Sequence, residues 1–112
     1  MENVYLIQRR ISVKYNVITL CGSTKFKDTF LEVQKKLTLE GNVVISVGLF
    51  SGYDNTPISK EEKELLDDIH RQKIDMANEI FVINVNGYIG ESTKKEIEYA
   101  LSKNKKIRYL ES

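Results

Sequence analysis

Residues 16–23 read Asn-Val-Ile-Thr-Leu-Cys-Gly-Ser, an apolar and β-branched run that a glycine ends. A continuous run of this kind is typical of a strand buried on both faces, as in a parallel sheet. Ser23 or Thr24 can then cap a helix. Apolar residues follow at helical spacing, at Phe26, Phe30, Val33 and Leu37. This stretch therefore predicts a strand, a tight turn and a helix that ends near Gly41.

The same alternation continues along the chain. Further strands are predicted at 42–47, 79–85 and 106–110, with helices that begin at Ser59 and at Ser92 or Thr93. The buried side of the helix after Ser59 is predicted at Leu65, Leu66, Ile69 and Met76. The order β-α-β-α-β-α-β indicates an α/β three-layer sandwich, flavodoxin- or Rossmann-like, with a parallel sheet of order 2-1-3-4. We expect one domain over 1–112, with 1–15 as an N-terminal arm or edge strand.

Composition limits the classes of function. The chain has 112 residues, 17 of them basic and 16 acidic, so its net charge of +1 favours neither a nucleic-acid nor a membrane partner. One cysteine, Cys21, excludes an internal disulfide and fits a cytoplasmic protein. Residues 1–5 carry an early acid and no long apolar run, so we expect no signal peptide.

In parallel sheets of this order, ligands bind at the carboxyl ends of the strands, where strands one and three diverge. The turn at 21–24, Cys-Gly-Ser-Thr, is expected there. Gly22 lets a ligand approach the backbone, and the following helix N-terminus with Ser23 and Thr24 suits phosphate or sugar oxygens. The alternative is a plain strand-to-helix turn with a Ser or Thr cap.

The turn at 87–96, Gly-Tyr-Ile-Gly-Glu-Ser-Thr-Lys-Lys-Glu, is expected at the same edge. Its candidate binding residues are Tyr88, Gly90, Ser92 and Thr93. Near a helix N-terminus the Glu96 carboxylate is favoured in its ionised form, and it could attack or stabilise the anomeric carbon of a sugar. The alternative is a capping box, in which Glu96 folds back on the Thr93 N–H.

The helix segment 67–75 is charged and holds the only histidine. Asp68, His70 and Asp75 are candidates for a second acid or a group that positions a ribose. The alternative is a solvated helix face with local ion pairs. Metal-ligand spacing is absent from the sequence, so no metal site is predicted.

Two segments carry a family resemblance. Residues 17–23, Val-Ile-Thr-Leu-Cys-Gly-Ser, resemble the opening of the nucleoside 2-deoxyribosyltransferase superfamily, which includes 2'-deoxynucleoside 5'-phosphate N-hydrolases. Residues 92–100, Ser-Thr-Lys-Lys-Glu-Ile-Glu-Tyr-Ala, look like its turn followed by Glu-(Leu/Ile)-x-x-Ala. The His-Arg-x-Lys-Ile helix at 70–74 and the Gly-Tyr-Ile-Gly turn at 87–90 are similar to a small branch of that superfamily.

The resemblance, which covers about residues 16–110, implies cleavage of the N-glycosidic bond of a (deoxy)nucleoside or its 5'-monophosphate, by hydrolysis or transfer. Glu96 matches the family's nucleophile, and Cys21 lies in its binding turn. The family uses no cofactor and forms homodimers or larger oligomers. His70 stands where the family has an aspartate, so Asp67, Asp68 and Asp75 are the open choices for the assisting carboxylate. A non-catalytic nucleotide-binding module is the alternative, favoured by His70 and by Glu98 in place of a glycine.

Overall fold

The computed structural model describes residues 14–112, and the predicted arm at 1–15 lies almost wholly outside them. The strands are β1 (Val17–Gly22), β2 (Val43–Ile45), β3 (Glu79–Ile83) and β4 (Lys106–Tyr109). The helices are α1 (Lys27–Leu39), α2 (Ser51–Asp54), α3 (Lys60–Asp75) and α4 (Glu91–Ser102), and a 3-10 turn spans Val85–Gly87.

The four strands form one parallel sheet in the order β2-β1-β3-β4, as predicted. β1 pairs with β2 on one side and with β3 on the other, so it is the central strand where the chain changes direction across the sheet. Gly22 pairs with Ile83 at the carboxyl ends of β1 and β3. This pairing brings the loops after both strands to the same edge.

Helices cover both faces of the sheet, which confirms the three-layer prediction. On one face α1 packs Phe30, Val33 and Leu37 against β1 and β3. On the other face α3 and α4 contribute Ile74 and Ala100, which pack with the apolar side chains Cys21, Ile80 and Val82. Because successive strand residues point to opposite faces, β1 sends Leu20 to the first cluster and Cys21 to the second.

Gly22 lies so close to the backbone of β3 that a side chain would not fit there. A Cβ atom at this position would lie 2.9 Å from the Ile83 carbonyl oxygen and 3.1 Å from the Ile83 Cβ. Contacts this short between a side chain and a paired strand cannot be relieved by rotating a flexible group. A glycine is therefore the residue that lets β1 end beside β3.

Two predicted helix caps are wrong, and the predicted helix start at Ser59 is confirmed. α1 begins at Lys27 after Phe26 and α4 begins at Glu91 after Gly90, and neither helix has a side-chain cap among the described residues. The reason at α1 is a backbone turn, in which the Phe26 N–H donates to the Ser23 carbonyl at 3.1 Å. α3 does begin after Ser59, whose hydroxyl and backbone form a capping box with Glu62.

The predicted buried side of α3 is largely wrong. Leu65, Ile69 and Met76 are exposed, whereas His70 and Ile74 are buried. The helix turns positions 70 and 74 toward the sheet, so a histidine takes a core position and three apolar residues are exposed. Within residues 14–112, no helix is long and apolar enough to cross a membrane.

Candidate functional site

A cavity of about 330 Å³ lies at the carboxyl ends of β1 and β3. Both turns expected at this edge line it. The candidate residues that line it are Gly22, Ser23, Thr24, His70, Tyr88, Gly90, Ser92, Thr93 and Glu96. Cys21 lies directly behind it, fully buried.

The first turn binds the loop that follows β2. The Thr24 hydroxyl accepts a hydrogen bond from the Gly52 N–H of α2 at 2.9 Å. This bond fixes the short helix α2, inside the loop 48–59, at the rim of the cavity, which Ser51 also lines. Within residues 14–112, the Ser23 hydroxyl accepts one long contact, 3.4 Å from the Lys25 backbone nitrogen, and its own proton has no acceptor there, so it can donate to a ligand.

The second turn presents the N-terminus of α4. Gly90 and the first helical residues line the cavity, and no described side chain caps their N–H groups. Uncapped N–H groups at a helix start attract anions. Thr93 is buried there, while the Ser92 hydroxyl accepts a hydrogen bond from Lys63 Nζ at 2.9 Å.

Tyr88 forms an aromatic wall at the mouth of the cavity. Its ring meets the Phe26 ring edge to face, with 5.9 Å between centroids. Lys25 Nζ lies 3.8 Å from the Tyr88 centroid, within cation–π range. The wall offers a flat apolar surface with a positive charge beside it.

Glu96 does not cap its helix. Because α4 begins at Glu91, Glu96 is the sixth helical residue and lies beyond the first turn, so the predicted capping box with Thr93 does not form. Its side chain is only 17% exposed and faces the cavity. The helix begins two or three residues earlier than predicted, so Glu96 lies in its second turn, where its carboxylate lines the cavity.

Glu96 meets the only histidine and the only cysteine of the chain. Cys21 Sγ lies 3.4 Å from His70 Nε2, and Glu96 Oε1 lies 3.7 Å from the same nitrogen. The three ligand atoms all lie within 4.8 Å of one another. They come from β1, α3 and α4, so only the tertiary fold brings them together.

Burial decides how these three groups titrate. It raises the pKa of Glu96 to about 7, against a lowering effect of the Cys21 hydrogen bond, and Asp67 raises it further. Burial, helped by Lys73, lowers the pKa of His70 to about 4, although a hydrogen bond to the Leu20 backbone opposes this. At neutral pH the imidazole is therefore uncharged, and its 3.7 Å contact with Glu96 is not an ion pair.

Cys21 is held as a thiol. Burial raises its pKa well above the ordinary value, and the Glu96 carboxylate raises it further. A buried thiol with a raised pKa is a poor nucleophile. Among the three groups, the carboxylate is thus the one suited to attack a carbon centre.

The carboxylates expected to assist Glu96 do not all line the cavity. Asp68 pairs with Arg71 at 3.0 Å, and Asp75 accepts a hydrogen bond from the Tyr99 hydroxyl at 2.7 Å. Neither is among the described residues that line the cavity. Asp67 does line it, half-buried, with Lys63 Nζ 2.8 Å from its carboxylate.

Sequence reasoning assigned no role to Lys63 and Lys73, which also line the cavity. The signal was available in the helical spacing, because Lys63, Asp67 and His70 stand at i, i+4 and i+7 on one face of α3. The Lys73 ammonium is bound at 2.8 Å to the Ser46 carbonyl. Two basic side chains therefore border a site whose acids are Asp67, Glu91 and Glu96.

No protein-family model and no curated protein matches this chain. The resemblance to the nucleoside 2-deoxyribosyltransferase superfamily therefore stays a prediction from the residues.

Proposed function

We propose that the protein cleaves the N-glycosidic bond of a (deoxy)nucleoside or nucleoside 5'-monophosphate, as a hydrolase or a transferase, within the superfamily that the sequence resembles. One observation carries this proposal. The Glu96 carboxylate is largely buried, makes no helix cap, and faces the cavity that Gly22 and Ser23 also line. A carboxylate in such a position costs stability, so a chemical role is the better account of it.

The polar groups around Glu96 suit the rest of such a substrate. The uncapped N–H groups after Gly90, with the Ser92 and Thr93 hydroxyls, can bind a phosphate or sugar oxygens. Tyr88 offers a face on which a nucleobase can stack. The Asp67 carboxylate, held by Lys63, can accept a hydrogen bond from a sugar hydroxyl.

The proposed reaction has two steps. The ionised Glu96 carboxylate approaches C1' from the face opposite the base, a C1'–O bond forms, and the C1'–N bond breaks. The bonding electron pair leaves with the base, which takes a proton from solvent. Water, or a second base in a transferase, then displaces Glu96 from C1', gives up a proton to solvent and releases the carboxylate.

The experiment is a panel of 2'-deoxynucleosides, ribonucleosides and their 5'-monophosphates, with free base measured by chromatography. We expect release from at least one member and loss of that release in Glu96→Gln, which keeps the side-chain shape. Glu98→Gln is the matched control, because Glu98 is an exposed carboxylate on the same helix. Release that is equal in Glu96→Gln and wild type would refute the proposed role.

A binding module without catalysis is the second candidate. The observation that favours it is that Asp67 is paired with Lys63, and that the Glu96 carboxylate has the His70 imidazole, and not a second carboxylate, 3.7 Å away. This candidate predicts that a nucleotide raises the melting temperature and is recovered intact. Turnover of the same nucleotide excludes it.

A further inference from the structure

The three groups that meet behind the cavity have the composition of a metal-ligand set. Cys21 offers a sulfur, His70 an imidazole nitrogen and Glu96 a carboxylate oxygen, all within 4.8 Å of one another. Zn²⁺ is a borderline-soft cation that takes thiolate, imidazole and carboxylate ligands together. Nothing in the proposed glycosidase chemistry needs a thiol and an imidazole at this place.

The distances fit a tetrahedral ion. Zn²⁺ binds sulfur at about 2.3 Å and nitrogen or oxygen at about 2.0–2.2 Å, so two ligands at a tetrahedral angle lie about 3.4–3.6 Å apart. Cys21 Sγ and His70 Nε2 are separated by 3.4 Å, and His70 Nε2 and Glu96 Oε1 by 3.7 Å. Two of the three separations are therefore within a few tenths of an ångström of tetrahedral geometry, and the third pair, Cys21 Sγ and the Glu96 carboxylate, lies within 4.8 Å.

The surroundings hold the ligands in place. The His70 side chain is buried between α3 and the sheet, so packing limits its movement. Cys21 is fixed within β1, and Glu96 lies on the second turn of α4. His70 and Glu96 both line the cavity, which gives the ion a path of entry and room for a water ligand.

We propose that Cys21, His70 and Glu96 form a binding site for one Zn²⁺ ion, with its remaining coordination position facing the cavity. The ion takes the thiolate, so binding displaces the Cys21 proton to solvent. Because Glu96 becomes a ligand, Zn²⁺ also withdraws it from attack on a sugar. That second consequence rests on the proposed function, whereas binding itself does not.

The test is calorimetric titration of the full chain with ZnCl₂ under a phosphine reductant. We expect one Zn²⁺ per chain, and binding at least about 10- to 100-fold weaker in Cys21→Ser and His70→Gln, since loss of an outer partner alone costs that much. Asp68→Asn is the control, because Asp68 is an exposed carboxylate on the helix of His70. The proposal is overturned if wild type takes up no Zn²⁺ or if Cys21→Ser binds it as tightly.

Cobalt provides a second measurement that needs no variant. Wild type loaded with Co²⁺ is expected to show a near-ultraviolet thiolate-to-cobalt charge-transfer band. Absence of this band would overturn the proposal, and this result does not depend on whether Cys21→Ser folds. Base release, if present, is expected to fall with Zn²⁺ and to return with a chelator. Zinc binding by a protein that releases no base even with chelator present would refute the proposed function and leave the zinc site intact.

Discussion

Oε1 of Glu96 lies 3.7 Å from Nε2 of His70, and both side chains are mostly buried, at 17% and 8% exposure. Burial favours the uncharged form of each, so the two groups meet as a neutral imidazole and a carboxyl whose pKa is about 7. Among residues 14–112, no charged cation is therefore in contact with the Glu96 carboxylate at the ligand edge at neutral pH.

Replacement of Glu96 by Gln should stabilise the metal-free protein at pH 8 but not at pH 4.5. The native state holds a proton on Glu96 between its ordinary pKa of 4.5 and about 7, where the unfolded chain has released it, so stability falls as pH rises through this range. The full effect corresponds to about 3 kcal/mol. Urea denaturation of both proteins at the two pH values, with chelator, measures it. The same difference at both pH values would contradict the prediction.

Base release should depend on the ionised form of Glu96. With a pKa of about 7, the carboxylate fraction falls as pH falls through neutrality, so kcat/KM of the metal-free enzyme should fall with it. The measurement is kcat/KM between pH 5 and 9 with chelator present. A rate that stays constant across neutral pH, or that rises on acidification, would assign the chemistry to another group.

Substitution of Gly22 by Ala should destabilise the protein by about 1–3 kcal/mol, the range for a forced contact in a packed interior. The added Cβ would meet the Ile83 carbonyl oxygen at 2.9 Å. Thermal unfolding of Gly22→Ala and Gly48→Ala makes the comparison, because a Cβ at Gly48 meets no described atom within 4 Å. Equal melting temperatures for both variants would show that the β1–β3 contact is not tight.

Removal of the Ser59 cap should weaken α3. The Ser59 hydroxyl accepts from the Glu62 N–H at 3.1 Å, so Ser59→Ala is expected to cost about 1 kcal/mol and Ser59→Gly only a few tenths. Chemical denaturation measures the free energy of unfolding of wild type and the two variants. The comparison distinguishes loss of the hydrogen bond from a change in backbone conformation. A larger loss in the glycine variant would mean that the cap is not the stabilising feature.

The sheet could be predicted from the sequence because its signals are local. The runs at 16–22, 42–47 and 79–85 are mostly apolar, and the segments between them have apolar residues at helical spacing. This alternation predicts a parallel sheet with a single strand order. The two turns were placed at the same edge for the same reason. The helix starts are harder to predict, because Phe26 and Gly90 precede α1 and α4 without a side-chain hydrogen bond that would mark them as caps.

The environment of Glu96 could not be predicted, because it depends on long-range packing. Cys21 and His70 stand 49 residues apart in sequence, and metal-site signatures depend on short spacings. His70 is buried and Leu65 and Ile69 are exposed because of how α3 is rotated against the sheet. The polarity of these residues alone predicts the opposite rotation. The family resemblance identified Glu96, but the groups around it come from the fold.

The most direct test of the central claim is to locate the sugar during turnover. A 2'-fluoro-2'-deoxynucleoside slows both steps, because fluorine destabilises the positive charge that develops at C1', and a good leaving base taken from those that the panel identifies keeps the first step the faster one. Peptide mass spectrometry of the protein after incubation is predicted to find one fluorodeoxyribosyl group on Glu96. A sugar found on another residue, or no adduct together with undiminished base release by Glu96→Gln, would contradict the account.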